Sequence, residues 1–127
     1  MPALNVTVST QNATLARIGA GLLVILCLDA AWLSLTRKTL YSTVATPRLG
    51  YGLIAWLTLA TAIAAARPNG TGQAAKWGAA VGAATYLVFN GTELALHPEW
   101  PVKTAAADTA WGTSMCALTS AILHHYN

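Results

Sequence analysis

The sequence predicts an all-α chain, an integral membrane bundle of four antiparallel transmembrane helices. Three observations carry that expectation. The 127 residues are 55% hydrophobic and only 9% charged, with mean hydropathy +0.50. A soluble domain carries about 25% charged residues, so this chain lacks the charge to cover a water-facing surface. Four segments approach the run of about 20 apolar residues that a bilayer crossing needs. Finally, 26 alanines and 10 glycines supply the small side chains of closely packed membrane helices. Length allows one domain. Together these features disfavour a soluble enzyme, a disordered tail and a coiled coil.

The first helix is expected over about 18–35, opening IGAGLLVILCL, and the second over about 49–66, YGLIAWLTLATAIAAA. The third is expected over about 76–96 and the fourth over about 104–123. Arg37, Lys38, Pro47 and Arg48 bound the first connection. Arg67-Pro68-Asn69-Gly70 forms the second, a turn signal. Pro98 and Pro101 bracket the third, each denying a helix its backbone donor. Residues 1–14 are polar, with no Lys or Arg, which makes a poor secretory leader. The expected organisation is therefore a polar segment over 1–14 and a four-helix transmembrane domain over 15–127.

Seven Lys and Arg against four Asp and Glu give net +3 and pI about 9.1. The excess reads as topology, because Lys and Arg accumulate in cytoplasmic loops. Arg37, Lys38, Arg48 and Lys103 outnumber Arg17, Arg67 and Lys76 on the opposite side. The 37–48 connection is therefore expected in the cytoplasm and both termini on the non-cytoplasmic side. No basic cluster has the density of a nucleic-acid footprint, so the expected partner is the lipid bilayer, with no nucleic acid. Asn5, Asn12 and Asn69 open Asn-x-Thr triplets, short enough to occur by chance in a Thr-rich chain.

Three acids fall inside the apolar segments: Asp29, Glu93 and Asp108. An ionisable residue there is costly and faces the bundle. At a rise of about 1.5 Å per residue, Asp29 lies about 12 Å before Arg37, Glu93 about 7 Å before Pro98 and Asp108 about 7 Å after Lys103. All three are expected at one depth, in one cluster. Lys103, Arg37 and Lys38 are placed to neutralise some of that charge. In the third helix Gly78, Gly82, Tyr86, Asn90, Glu93 and His97 share a stripe about 120° wide at 100° per residue. Its Gly78-x-x-x-Gly82 half is smooth and suits close helix packing. Its other half carries polar groups, with His97 a helix-end residue beside Glu93. Asp29-Ala30-Ala31-Trp32 is echoed by Asp108-Thr109-Ala110-Trp111, and each Trp, three residues after its Asp, shares a helix face with it. An indole N–H can donate to a carboxylate. Cys27 and Cys116 differ in depth and read as small core residues without a disulfide. No spacing for catalysis, for a metal or for a phosphate-binding loop occurs, so neither enzyme activity nor a cofactor is expected.

Three blocks resemble a family of four-helix membrane proteins catalogued as domain of unknown function 2177. They are Leu28-Asp29-Ala30-Ala31-Trp32-Leu33, the stretch from Phe89 to Pro101 reading FNGTELALHPEWP, and Asp108-Thr109-Ala110-Trp111-Gly112-Thr113. The chain departs at Asn90, where the family tends to have Asp, and at Glu93, where it tends to have Asn. The resemblance implies the four-helix architecture and names no activity. Two functions follow from the residues. One is a small transporter or channel, a homo-oligomer, passing protons, cations or a small solute through Asp29, Glu93, Asp108 and Asn90. The supporting residues would be Trp32, Trp111, Tyr86, His97 and Lys103. The other is a structural membrane or envelope protein that packs or oligomerises through small-residue faces such as Gly78 and Gly82.

Overall fold

The computed structural model describes the backbone of residues 2–42 and 49–125, with side chains over 13–42 and 50–125. Four helices make an all-α bundle: α1 Pro2–Thr36, α2 Leu49–Ala65, α3 Thr71–Leu96 and α4 Val102–His125. The side chains of Asn5 and Asn12, and the Pro47-Arg48 end of the first connection, lie outside the described residues.

Two starts differ from the apolar pattern. The α1 backbone begins at Pro2, where a proline costs no helical bond. No Gly or Pro interrupts residues 3–18, so nothing in that polar stretch stops a helix. Helix α3 begins at Thr71, because the Asn69 N–H donates to Gln73 Oε1 at 3.2 Å and closes its first turn. It ends where His97 N–H reaches back to the Glu93 carbonyl at 2.8 Å, just before Pro98.

Small residues bring α3 and α4 into close contact. A methyl group added at Gly78 would collide with the Cys116 carbonyl and lie 2.7 Å from Ser120 Cβ. One added at Gly82 would meet the Gly112 carbonyl and stand 2.9 Å from Thr113 Cα. In return Gly112 makes room for the Tyr86 ring. The Gly78/Gly82 face is thus covered within the chain. The core joins Ile25 of α1, Leu59, Ala60 and Ile63 of α2, Val81 of α3, and Met115, Cys116 and Leu123 of α4. Cys116 is buried in that core, whereas Cys27 is exposed, and both are free thiols.

Both ends are tied. At one, Arg17 Nη2 donates to the Ala66 carbonyl at 3.2 Å and Arg67 Nη2 to Thr14 Oγ1 at 3.1 Å. At the other, the Thr104 hydroxyl donates to the Leu40 carbonyl at 2.5 Å.

The surface exposes many large apolar side chains, and several polar side chains lie buried beside the apolar core. Leu35 is 82% exposed and Val88 70%, while Asn90 is 2% and Asp108 8%. The segment Ala13–Thr36 is long and apolar enough to cross a membrane by length and composition, and Gly50–Ala65 is apolar but shorter. Helices α3 and α4 are diluted in hydropathy by the Gly, Thr, Ser and Asn residues that let them pack.

Candidate functional site

Two hydrogen-bonded clusters lie in the interior, each anchored on a carboxylate from a different helix. Asp29 of α1 accepts from Trp56 Nε1 of α2 at 2.7 Å and from Trp111 Nε1 of α4 at 3.0 Å. Asp108 of α4 accepts from the Tyr41 hydroxyl at 2.5 Å and from Asn90 Nδ2 of α3 at 2.8 Å. The Tyr41 oxygen in turn accepts from Trp32 Nε1 at 2.8 Å. The Trp32 and Trp111 rings stack with centroids 4.8 Å apart and 3° between planes, joining the two halves. Asn90 is nearly saturated. Its amide also donates to the Tyr86 carbonyl and to Thr109 Oγ1, and its Oδ1 accepts from Trp100 Nε1 at 3.1 Å.

Backbone geometry explains this convergence. Trp32 and Trp111 each lie three residues after an Asp, so indole and carboxylate leave one helix face. Where the faces of α1 and α4 meet, the Trp111 indole reaches Asp29, while the Trp32 indole reaches Asp108 through Tyr41. Turn bonds at the end of α1, Arg37 N–H to Leu33 O and Leu40 N–H to Thr36 O, carry Tyr41 back over Asp108. Burial pushes the Tyr41 phenol above the ordinary tyrosine range, and its bond to Asp108 pushes the same way.

Glu93 makes its contacts elsewhere. Its Oε2 lies 3.7 Å from His97 Nε2, and His97 Nδ1 lies 3.4 Å from Glu99 Oε1. Among the described residues Glu93 shares no hydrogen bond with Asp29 or Asp108. Depth places Glu93 level with the others, but His97 at i+4 on the same face gives it a nearer partner at the helix end. The α3 group that bonds Asp108 is Asn90, one turn earlier. Lys103 is exposed, and the hydrogen-bond partners of Asp29 and Asp108 are the neutral groups of Trp56, Trp111, Tyr41 and Asn90. Neutral donors satisfy both network acids instead. No group of three His, Cys, Asp or Glu side chains converges among the described residues.

A partly open cavity of about 400 Å³ adjoins the network. Trp56 and Leu59 of α2, Tyr86 and Phe89 of α3, and Asp108 of α4 line it. Trp56 is thus both a wall of the cavity and a donor to Asp29.

Tyr41, Trp56 and Trp100 are the network members that the motif reading did not single out. A usable signal existed. Each is an aromatic with one polar atom, which needs a partner when buried, and carboxylates are scarce in this chain.

An all-α bundle with an apolar exterior and a buried acid–aromatic network defines the class. The chain belongs to the family described as predicted membrane protein (DUF2177), whose model matches residues 14–124. No curated protein and no solved structure matches it.

Proposed function

We propose that this chain is a multi-pass membrane protein that passes protons or small cations through a site built on Asp29 and Asp108. The observation that carries this reading is the placement of Asp108. It is a buried carboxylate with neutral partners that also lines a cavity, while Asp29 sits behind the Trp56 wall of the same cavity. Carboxylates are expensive at membrane depth and mark ion or proton paths.

The reading takes all four helices as antiparallel crossings. At about 1.5 Å per residue, α3 and α4 are roughly 39 and 36 Å long, enough for a hydrocarbon core of about 30 Å. Arg17 meeting Ala66, and Thr104 meeting Leu40, suit an up-down order. Arg37, Lys38 and Lys103 gather at the Leu40–Thr104 end, which the charge rule assigns to the cytoplasm, with both termini opposite. Since Gly78 and Gly82 are covered by α4, self-association would use exposed apolar faces, such as that of Leu87 and Val88.

A structural role is the second reading. Each acid already holds two neutral donors, an arrangement that also glues helices together. Flux separates the two. In proteoliposomes, the wild type should pass protons or monovalent cations above empty vesicles. Asp108→Asn should lower that flux at least tenfold, and Glu99→Gln, in the exposed connection, should leave it unchanged. Wild-type flux equal to that of empty vesicles would leave the structural role standing.

A further inference from the structure

We propose that the cavity between α2 and α3 receives a lipophilic organic cation, one positive charge on an apolar body. The inference rests on the reading of Asp108 as a cation-binding site in a membrane-spanning bundle, and names the class of ligand that site takes. A volume of about 400 Å³ falls in the range of small-molecule sites, which are mostly apolar with a few polar groups. Three aromatic rings line it, those of Trp56, Tyr86 and Phe89, and aromatic faces attract cations. The one charged side chain in the lining is Asp108. Its two oxygens accept one bond each from Tyr41 and Asn90, and an ionised carboxylate offers about four lone-pair sites. Acceptor capacity therefore remains for a ligand.

This combination selects among chemistries. Asp108 repels an anion. A Ca²⁺ or Mg²⁺ ion needs six or more oxygen ligands, and a transition metal a converging His/Cys/carboxylate set, and neither is supplied by these walls among the described residues. A neutral apolar molecule would suit the walls and leave the carboxylate without charge compensation. A cation with an apolar body satisfies both. The route of entry agrees: Thr58, Thr85 and Phe89 are exposed near the middle of their helices, on the flank of the bundle. In a bilayer that flank faces lipid, where lipophilic cations partition.

Tetraphenylphosphonium and tetraphenylborate have nearly the same size and shape and opposite charge. Equilibrium binding of each to the purified chain in nanodiscs tests the proposal, with empty nanodiscs as the partition baseline. The phosphonium should bind saturably, about one per chain, and the borate should not. Asp108→Asn should weaken the phosphonium at least tenfold. Thr58→Trp fills the cavity from a position outside the acid network, and should abolish binding while the unfolding temperature stays near the wild type. Equal binding of the two ions, no saturable binding, or binding unchanged by Thr58→Trp would each overturn the site. Saturable binding without proteoliposome flux would uphold the site and remove transport. Flux without binding would do the reverse.

Discussion

The Trp111 indole donates to Asp29 across the α1–α4 interface at 3.0 Å, although Asp108 lies three residues before it on its own helix. The companion indole, Trp32, crosses the other way through Tyr41 to Asp108. Two Asp-x-x-Trp units therefore exchange donors and stack their rings in parallel. Such an exchange sets the rotation and axial register of α1 against α4, because sliding either helix by a turn would take at least one donor from each carboxylate. Stranding is costly where no water is at hand.

Removing one indole donor should destabilise the fold. Trp111→Phe and Trp56→Phe each leave Asp29 with a single donor, at a cost of about 1–3 kcal/mol. Trp77→Phe is the contrast, because that half-exposed indole donates only to the Ala62 carbonyl near the end of α2. Its cost should fall below about 1 kcal/mol. Equilibrium unfolding in bicelles measures all three. Equal losses for Trp56→Phe and Trp77→Phe would contradict the network.

Two glycines on one helix should respond in opposite ways to the same methyl group. At Gly78 the added group meets the Cys116 carbonyl, backbone that cannot turn aside, so Gly78→Ala should cost about 1–3 kcal/mol. At Gly91 nothing stands within 4 Å. Gly91→Ala should stabilise by about 0.5–1 kcal/mol through helix propensity alone. Thermal unfolding of the pair in detergent shows the difference, and a harmless Gly78→Ala would mean that α3 and α4 are further apart.

Tyr41 predicts an alkaline limb to stability. Its phenol is raised above the ordinary value of about 10, chiefly by burial and then by the bond to Asp108. For a group whose folded pKa is raised, the stabilisation is fully present below the unfolded pKa and lost as pH rises through the folded one. The wild type should therefore exceed Tyr41→Phe by a constant margin up to about pH 9, and the margin should shrink above about pH 10. A pH series of denaturant midpoints checks this, and a margin that widened with pH would reverse the sign.

How legible all this was varies by residue. Arg67-Pro68-Asn69-Gly70 and the Pro98–Pro101 bracket act locally on the backbone, so four helices could be read from the chain. The start of α1 at Pro2 could not, because Thr, Ser and Asn are poor membrane residues yet tolerable helix residues. In the site, Asp29 and Asp108 stood out because carboxylates are conspicuous in an apolar run. Their partners did not. Whether Glu93 turns toward Asp108 or toward His97 depends on a rotation of about 60° on one helix, from 93 to 90, and depth alone carries no rotation. Tyr41 lies in a connection and Trp56 in a helix without acids, so their roles exist only once α2 and α1 are packed.

The most direct test of the network is a double-mutant cycle on Asp29→Leu and Trp111→Phe, each of which removes the bond, read by unfolding free energy in bicelles. Residues sharing a buried hydrogen bond couple, whereas independent sites add within about 0.3–0.5 kcal/mol. A coupling energy of about 1 kcal/mol or more is the predicted result, near the upper part of the range for interhelical bonds in membranes. Additivity within that margin would mean that Trp111 does not hold Asp29, and would contradict the account.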